Sequence, residues 1–227
     1  SITIAPGLSV TLIGSSSATY DLSIVCGQGV TLTLQDVQIF SPSSCPLSFT
    51  GNDNYLILAG SNSFRSYIYP AIRVESSTSI TINGDGALTA TGGNSSAGIG
   101  GGNGSNGGSI TISGGTINAR GGYHAAGIGG GENGAGGTIT ISGGTVVVLS
   151  GNFSAGIGGG YNGAAGTITI SDGIVTAVNT IGGAGIGSGY NGTSGTVTII
   201  GGTVNAYGGQ YGSGIGSGYN GSNTTIT

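Results

Sequence analysis

Charged side chains make up only 4% of this 227-residue chain, which has no lysine and a formal net charge of −4. Its three cations, Arg65, Arg73 and Arg120, are too few for the basic footprint of a nucleic-acid-binding protein. No apolar run approaches the length of a bilayer span. We therefore expect neither a nucleic-acid partner nor insertion into a membrane.

Residues that carry enzyme chemistry are also scarce. The chain has one histidine, His124, and seven acids that form no close pair in the sequence. Polysaccharide cleavage on a β-helix would need clustered carboxylates or an acidic calcium site. We predict a protein that is not an enzyme and that carries no metal or cofactor.

Cysteine is limited to Cys26 and Cys45, in a chain that also lacks methionine and tryptophan. In a secreted protein two such residues most simply form one disulfide, whereas in the cytosol they would remain thiols. We favour the disulfide, and with it an extracellular or cell-surface location.

Glycine, in contrast, is abundant and periodic. The chain has 54 glycines, and each Gly-Ile pair is followed by a Gly/Asn-rich bend, a T-I-T-I strand, a tight turn and a T-V-x-A strand. Repetition at a constant period indicates a repeat architecture, and this density of glycine and β-branched residues excludes helical repeats. The pairs recur at one fixed interval, at Gly98-Ile99, Gly127-Ile128, Gly156-Ile157, Gly185-Ile186 and Gly214-Ile215.

The pattern predicts an all-β fold, a parallel β-solenoid of about nine coils that forms a single domain over residues 1–227. Residues 97–227 carry the regular 29-residue repeat, and residues 1–96 form shorter, irregular coils stapled by the disulfide. In those early coils we expect Leu34, Ile57 and Ile82 to occupy equivalent positions. Stacked apolar residues would fill the core, so that each coil is stabilised through its neighbours.

A strip of glycines on the Gly-Ile face is a candidate packing surface. Glycine in a strand often marks the close approach of another backbone, although it also supplies the positive φ needed at corners. The strip comprises Gly98, Gly127, Gly156, Gly185 and Gly214.

A second face carries outward threonines in a T-x-T pattern. This pattern resembles the flat faces of β-solenoid ice-binding proteins, although threonine is also a good exposed strand residue. The face comprises Thr111, Thr138, Thr140, Thr167, Thr169, Thr196 and Thr198.

The bends supply a third candidate, a ladder of Tyr161, Tyr190 and Tyr219 that keeps the spacing of the repeat. Stacked tyrosines could bind sugar rings or could simply shield the bend. The chain also has six N-x-S/T sequons, which in a secreted eukaryotic protein are expected to carry glycans. They are Asn94, Asn103, Asn152, Asn191, Asn220 and Asn223.

The repeat unit is A-G-I-G-G-G-x-N-G-x-x-G-T-I-T-I-S-G-G-T-V-x-A, which residues 126–148 match except for valine at the last position. It resembles repeats of large surface proteins described as adhesin-like or carbohydrate-binding, over roughly residues 78–227. The resemblance implies a right-handed parallel β-helix with a role at the cell surface, and it supplies no catalytic residue.

These features predict a non-catalytic, extracellular structural or adhesive solenoid. Binding of polysaccharide through the tyrosines, or of ice through the threonines, is the alternative. The chain begins S-I-T-I and ends N-T-T-I-T, and open strand edges can pair with another chain. We therefore expect self-association into a fibre, head to tail through the ends or laterally through the glycine strip.

Overall fold

A computed structural model describes residues 1–14 and 19–227 of the chain. These residues form strands, turns and bends, without a helix. Strands of successive turns pair in parallel, so the chain winds as a right-handed parallel β-solenoid, as predicted. At about 4.8 Å for each turn, the stacked turns make a rod on the order of 40 Å long.

Each complete turn contributes strands to three faces of the rod. The short-strand face has nine strands within the described residues, and the other two faces join into one larger sheet. The short-strand face comprises Ile2–Ile4, Ile24–Cys26, Leu47–Phe49, Ile72–Arg73, Ile99–Gly100, Ile128–Gly129, Ile157–Gly158, Ile186–Gly187 and Ile215–Gly216.

The second face, which we call the threonine face, is followed in each turn by a third face. The long strands Thr138–Leu149 and Gly166–Val178 run through both. The other strands of the threonine face are Ser9–Ile13, Thr31–Gln35, Asn54–Ala59, Ser79–Gly84, Ser109–Ile112, Thr193–Ile199 and Ser222–Ile226. Those of the third face are Thr19–Tyr20, Gln38–Ser41, Ser61–Ser66, Ala87–Thr91, Thr116–Arg120 and Thr203–Tyr207.

The turns lengthen from the first to the fifth. Along the short-strand face Ile2 pairs with Ile24, then Leu47, Ile72 and Ile99, and each step is longer than the one before it. Every later step has the same length, that of the regular repeat. The added residues lie mainly in the bend between the short strand and the threonine face, which therefore becomes larger in the regular half.

Columns of apolar residues fill the interior. Ile110 pairs with Ile139 and the column continues through Ile168, all of them fully buried. A neighbouring inward column runs from Leu32 through Leu56 and Ile82 to Ile112. The expected equivalence of Leu34, Ile57 and Ile82 is wrong.

The error is one of register. Ile57 pairs with Thr33 on the outward side, and Leu34 pairs with Leu58 in a separate inward column. A slip of one residue moves a side chain to the opposite face of a strand. The unequal length of the early turns, which step from Leu32 to Leu56 and from Leu56 to Ile82, hides the correct register in the sequence.

The predicted disulfide is also wrong, because Cys26 and Cys45 are separate, buried thiols. Cys26 pairs with Phe49 on the next turn, and Phe49 lies four residues beyond Cys45 in the sequence. The register therefore does not place the two cysteines side by side, whereas a disulfide requires Cα atoms within about 7 Å of each other. Burial raises the pKa of Cys26 to about 12 and that of Cys45 to about 11. Both thiols therefore stay protonated at neutral pH, and neither supports an extracellular location.

Buried asparagines, rather than a disulfide, connect the irregular turns. The Asn54 side chain accepts a hydrogen bond from the backbone of Val30 at 3.1 Å and donates to the backbone oxygen of Ser79, also at 3.1 Å. Asn62 bridges Val37 and Ala87 in the same way. Each amide thus joins three consecutive turns and satisfies backbone groups that would otherwise be buried without partners.

Candidate binding surfaces

The threonine face is formed as predicted. All seven predicted threonines point outward, half-buried or exposed, in two rows that run along the rod. One row pairs Thr138 with Thr167, and the other pairs Thr140 with Thr169. Strand geometry places neighbours about 4.8 Å apart along a row and about 6.7 Å apart across the two rows.

The two rows extend beyond the predicted residues. Toward the N-terminus, the row of Thr140 continues through Thr111 to Thr81. Tyr55 takes the next position in this row, and Thr31 the one after it. The first row continues to Ser109. The threonine-face strands between Ser79 and Ile199 contain no charged residue. The nearest charge in the long strands is Asp172, which lies at the corner with the third face. The result is a flat, regular surface of hydroxyl and methyl groups.

The tyrosine ladder also forms, with its rings stacked on one another. The rings of Tyr161 and Tyr190 lie 5.5 Å apart and are 16° from parallel, and those of Tyr190 and Tyr219 lie 5.0 Å apart at 38°. Phe153 packs edge-on against Tyr161 and Tyr190. Neighbouring rings therefore cover each other's faces and leave mainly edges and hydroxyl groups toward solvent.

His124 adds a rung that the sequence pattern did not reveal. Its ring stacks on Tyr161 at 4.7 Å and 22°, and its Nδ1 lies 2.9 Å from Oε1 of Glu132. Glu132 stands at the tyrosine position of the repeat, and it also accepts a hydrogen bond from the Ser95 hydroxyl. The Ser95 hydrogen bond and then His124 hold the pKa of Glu132 below its usual value.

Comparison with known families agrees with this architecture. The Beta helix repeat family matches residues 80–103, 110–132, 139–161, 168–190 and 197–219, just over half of the chain. The chain belongs to the beta helix repeat family. No curated protein and no solved structure matches it.

The glycine strip of this beta helix repeat protein is not a surface, which corrects the prediction for Gly98, Gly127, Gly156, Gly185 and Gly214. The first four are buried and Gly214 is half-buried. The bends on either side of the short strand meet over it, because Tyr161 N donates to His124 O at 3.0 Å and Tyr190 N donates to Phe153 O at 2.8 Å. The strip therefore presents no open surface for lateral packing.

Glycine is required there because backbones approach closely. A Cβ on Gly127 would overlap the Val148 side chain, and one on Gly129 would overlap the Gly158 carbonyl oxygen of the next turn. Gly129 also has φ of +134°, a conformation that side chains disfavour. The periodic glycines thus permit tight stacking of one turn on the next.

Asparagines in the same bends form a second ladder. Asn162 donates to Asn133 Oδ1 at 2.6 Å, and Asn191 donates to Asn162 Oδ1 at 3.0 Å. Of the six sequon asparagines, Asn152 is half-buried, and the others are exposed. The exposed ones are Asn94, Asn103, Asn191, Asn220 and Asn223.

Two further observations concern residues 1–14 and 19–227 only. No group of three or more His, Cys, Asp and Glu side chains is close enough to hold a metal ion. There is also no helix with the length and apolar character needed to cross a bilayer.

Proposed function

We propose that this chain is a non-catalytic, extracellular structural and adhesive element that adheres through its threonine face to an ordered, hydroxyl-rich surface. The observation that carries the proposal is the register of the two threonine rows over successive turns. Each threonine offers a hydroxyl that donates and accepts and a methyl group that packs.

Repetition is what makes such a surface adhesive. A single threonine contact is weak, but a rigid array adds many contacts without the cost of ordering each side chain separately. The stacked turns supply that rigidity, because every threonine-face strand between the first and the last is paired on both sides. The absence of charge along the rows also limits the desolvation cost of contact.

The other two predicted surfaces support this role less well. The glycine strip is covered by its own bends. The tyrosine ladder presents ring edges, whereas a sugar ring stacks on an aromatic face. Only the last rung, Tyr219, is as much as 41% exposed. Burial, and then the neighbouring tyrosines, raise the pKa of Tyr190 above its ordinary value.

Adsorption to crystalline cellulose and chitin particles tests the proposal. We expect the double variant Thr140→Lys/Thr169→Lys to lose about tenfold in adsorption affinity, or about 1.4 kcal/mol, because two long cations interrupt one row. The matched control is Thr116→Lys/Thr145→Lys, which places the same charges in consecutive turns on the third face. Equal loss in both variants, or no adsorption by the unmodified protein, would reject the adhesive role.

Ice is a second candidate for the same face. It is favoured by the regular spacing of the two rows, about 4.8 Å by 6.7 Å, which is a repeating lattice of hydroxyl and methyl groups. Thermal hysteresis and crystal shaping that disappear in the Thr140→Lys/Thr169→Lys variant would support it. Normal ice growth in the presence of the unmodified protein would exclude it.

The extracellular location rests on the exposed sequons. Secretion from a eukaryotic host should give a protein whose mass falls on treatment with peptide N-glycosidase. We expect occupancy at the exposed Asn220 before the half-buried Asn152. A secreted protein of unmodified mass would remove this support.

A further inference from the structure

The short-strand face changes character at Arg73. Its outward column runs from Val25 through Ser48 to Arg73, and then continues as Gly100 and Gly129. Side chains therefore stand on this face as far as Arg73, and glycines replace them where the larger bends close over the strand. A step is formed where the open part of the face meets the covered part.

A cleft of about 500 Å³ lies at this step. Tyr69, Arg73 and Glu75 line it, together with the amides of Asn94 and Asn103. A second depression of about 390 Å³ shares Arg73 and Glu75 and extends along the open part of the face. The ion pair thus stands between two concave surfaces, each within the size range of small-ligand sites.

The ion pair has unused hydrogen-bonding capacity. Nε of Arg73 is buried, has no hydrogen-bond partner among the described residues, and lies 3.7 Å from Oε1 of Glu75. The guanidinium carbon lies over the Tyr69 ring, 5.4 Å from its centre, in the range of a cation–π contact. The buried Nε is out of reach of a ligand, but both side chains remain about one-third exposed, so the terminal N–H groups of the Arg73 guanidinium can donate to, and the Glu75 carboxylate can accept from, a molecule in the cleft.

We propose that this cleft binds a neutral saccharide residue. An adjacent donor and acceptor match vicinal sugar hydroxyls, because each hydroxyl both donates and accepts. The formal charges of Arg73 and Glu75 cancel, so the cleft gives no net attraction to an anionic sugar. The side-chain amides of Asn94 and Asn103 supply further donors and acceptors, and the Tyr69 ring offers an apolar edge to the site.

The inference goes beyond the adhesive role and does not rest on it, since the cleft and the threonine face share no residue. Asn94 and Asn103 are sequon asparagines that line the cleft, so the test must keep both side chains unmodified. The test therefore uses the 227-residue chain produced in bacteria, which do not glycosylate these sequons.

Saturation-transfer NMR and titration with methyl α-D-glucopyranoside, methyl α-D-mannopyranoside and methyl β-D-galactopyranoside test the proposal, with D-glucuronate as the charged probe. At least one neutral glycoside should bind and shift the amide resonance of Gly102, whose N–H faces Glu75 Oε1 at 3.4 Å. Affinity should fall at least tenfold in Arg73→Lys, which keeps the charge but loses the planar fork, and in Glu75→Gln.

The matched control is Arg65→Lys. Arg65 also lies 5.4 Å from a tyrosine ring, that of Tyr67, but it lines a different depression. This variant should bind as the unmodified protein does. Failure of all three neutral glycosides, preference for glucuronate, or unchanged binding in Arg73→Lys would overturn the proposal. If Arg73→Lys melts early, the Gly102 shift in the unmodified protein decides alone.

Discussion

The substitution Gly160→Ala tests the reason for the periodic glycines. Gly102, Gly131, Gly160 and Gly189 stand in one column, each one repeat beyond the last. A Cβ on Gly160 would lie 1.8 Å from the carbonyl oxygen of Gly131, whereas real Cβ atoms do not approach other atoms more closely than 3.0 Å. At Gly102, the first rung, the nearest atom would be 3.6 Å away in the Glu75 side chain. The same substitution therefore overlaps backbone in one turn and makes only ordinary van der Waals contacts in another.

The expected cost follows from this geometry. Two turns would have to separate by about 1 Å, and overpacking of this kind costs about 1–3 kcal/mol. The inter-turn hydrogen bond from Gly160 N to Gly134 O, now 2.9 Å, would weaken and add about 1 kcal/mol. We expect Gly160→Ala to lose about 3 kcal/mol and roughly 6–12 °C in Tm. Gly102→Ala should stay within about 0.5 kcal/mol of the unmodified protein.

Urea and thermal unfolding followed by circular dichroism provide the measurement. Repeat proteins can unfold turn by turn, so unfolding can show more than one transition. The midpoints of the two variants and of the unmodified protein are therefore compared for the same transition. Equal stability of Gly160→Ala and Gly102→Ala would refute the account of close stacking. Neither glycine has a positive φ, so an equal loss in both variants would likewise show that the cost does not come from close stacking.

Three other perturbations have defined outcomes. Asn54→Ala should lose about 3 kcal/mol because buried backbone groups lose their partners, whereas the exposed Asn83→Ala should lose under about 1 kcal/mol in the same urea titration. Reductant should leave Tm unchanged, and Cys26 and Cys45 should react with a thiol reagent only on unfolding; a Tm that falls with reductant would restore the disulfide. The pKa of Glu132 is lowered in the folded protein, so its carboxylate stabilises the fold at pH values above the ordinary pKa of 4.5. This stabilisation is lost as the pH falls through the folded pKa. The Tm advantage over Glu132→Gln should therefore shrink below about pH 4.5, and a constant difference down to pH 3 would contradict this assignment.

The regular half of the fold could be predicted from sequence because its period is constant. With a fixed step, alignment of the repeats gives the strand pairing directly, so Thr140 could be placed beside Thr169 without coordinates. Inward and outward positions then follow from alternation along each strand. This is why the threonine face and the apolar columns were predicted correctly.

The irregular half could not be predicted in the same way. Its steps change from turn to turn, so apolar residues such as Leu34 and Ile57 offer several registers, and only packing selects one. Cys26 and Cys45 were paired by residue type and compartment, without knowledge of that register. Asn54 and Asn62 are single residues in short strands, and nothing in the sequence marks them as buried.

The glycine strip failed for another reason. Whether it is exposed depends on the bends on its two sides, which meet through contacts such as Tyr161 N to His124 O, between residues more than one repeat apart in the sequence. That contact joins successive turns and does not follow from a column of equivalent residues. The same packing adds His124 to the tyrosine ladder and covers the ring faces that sugar binding would need.

The most direct test of the account is one adsorption experiment on crystalline chitin with three variants of the chain. Thr140→Lys/Thr169→Lys alters the threonine face, Tyr190→Ala alters the ladder, and Arg65→Lys, which lies outside both surfaces and outside the cleft, is the control. The account predicts about a tenfold loss of affinity for the threonine variant alone. Unchanged adsorption of that variant, with loss in the ladder variant, would contradict it and return the contact surface to the tyrosines.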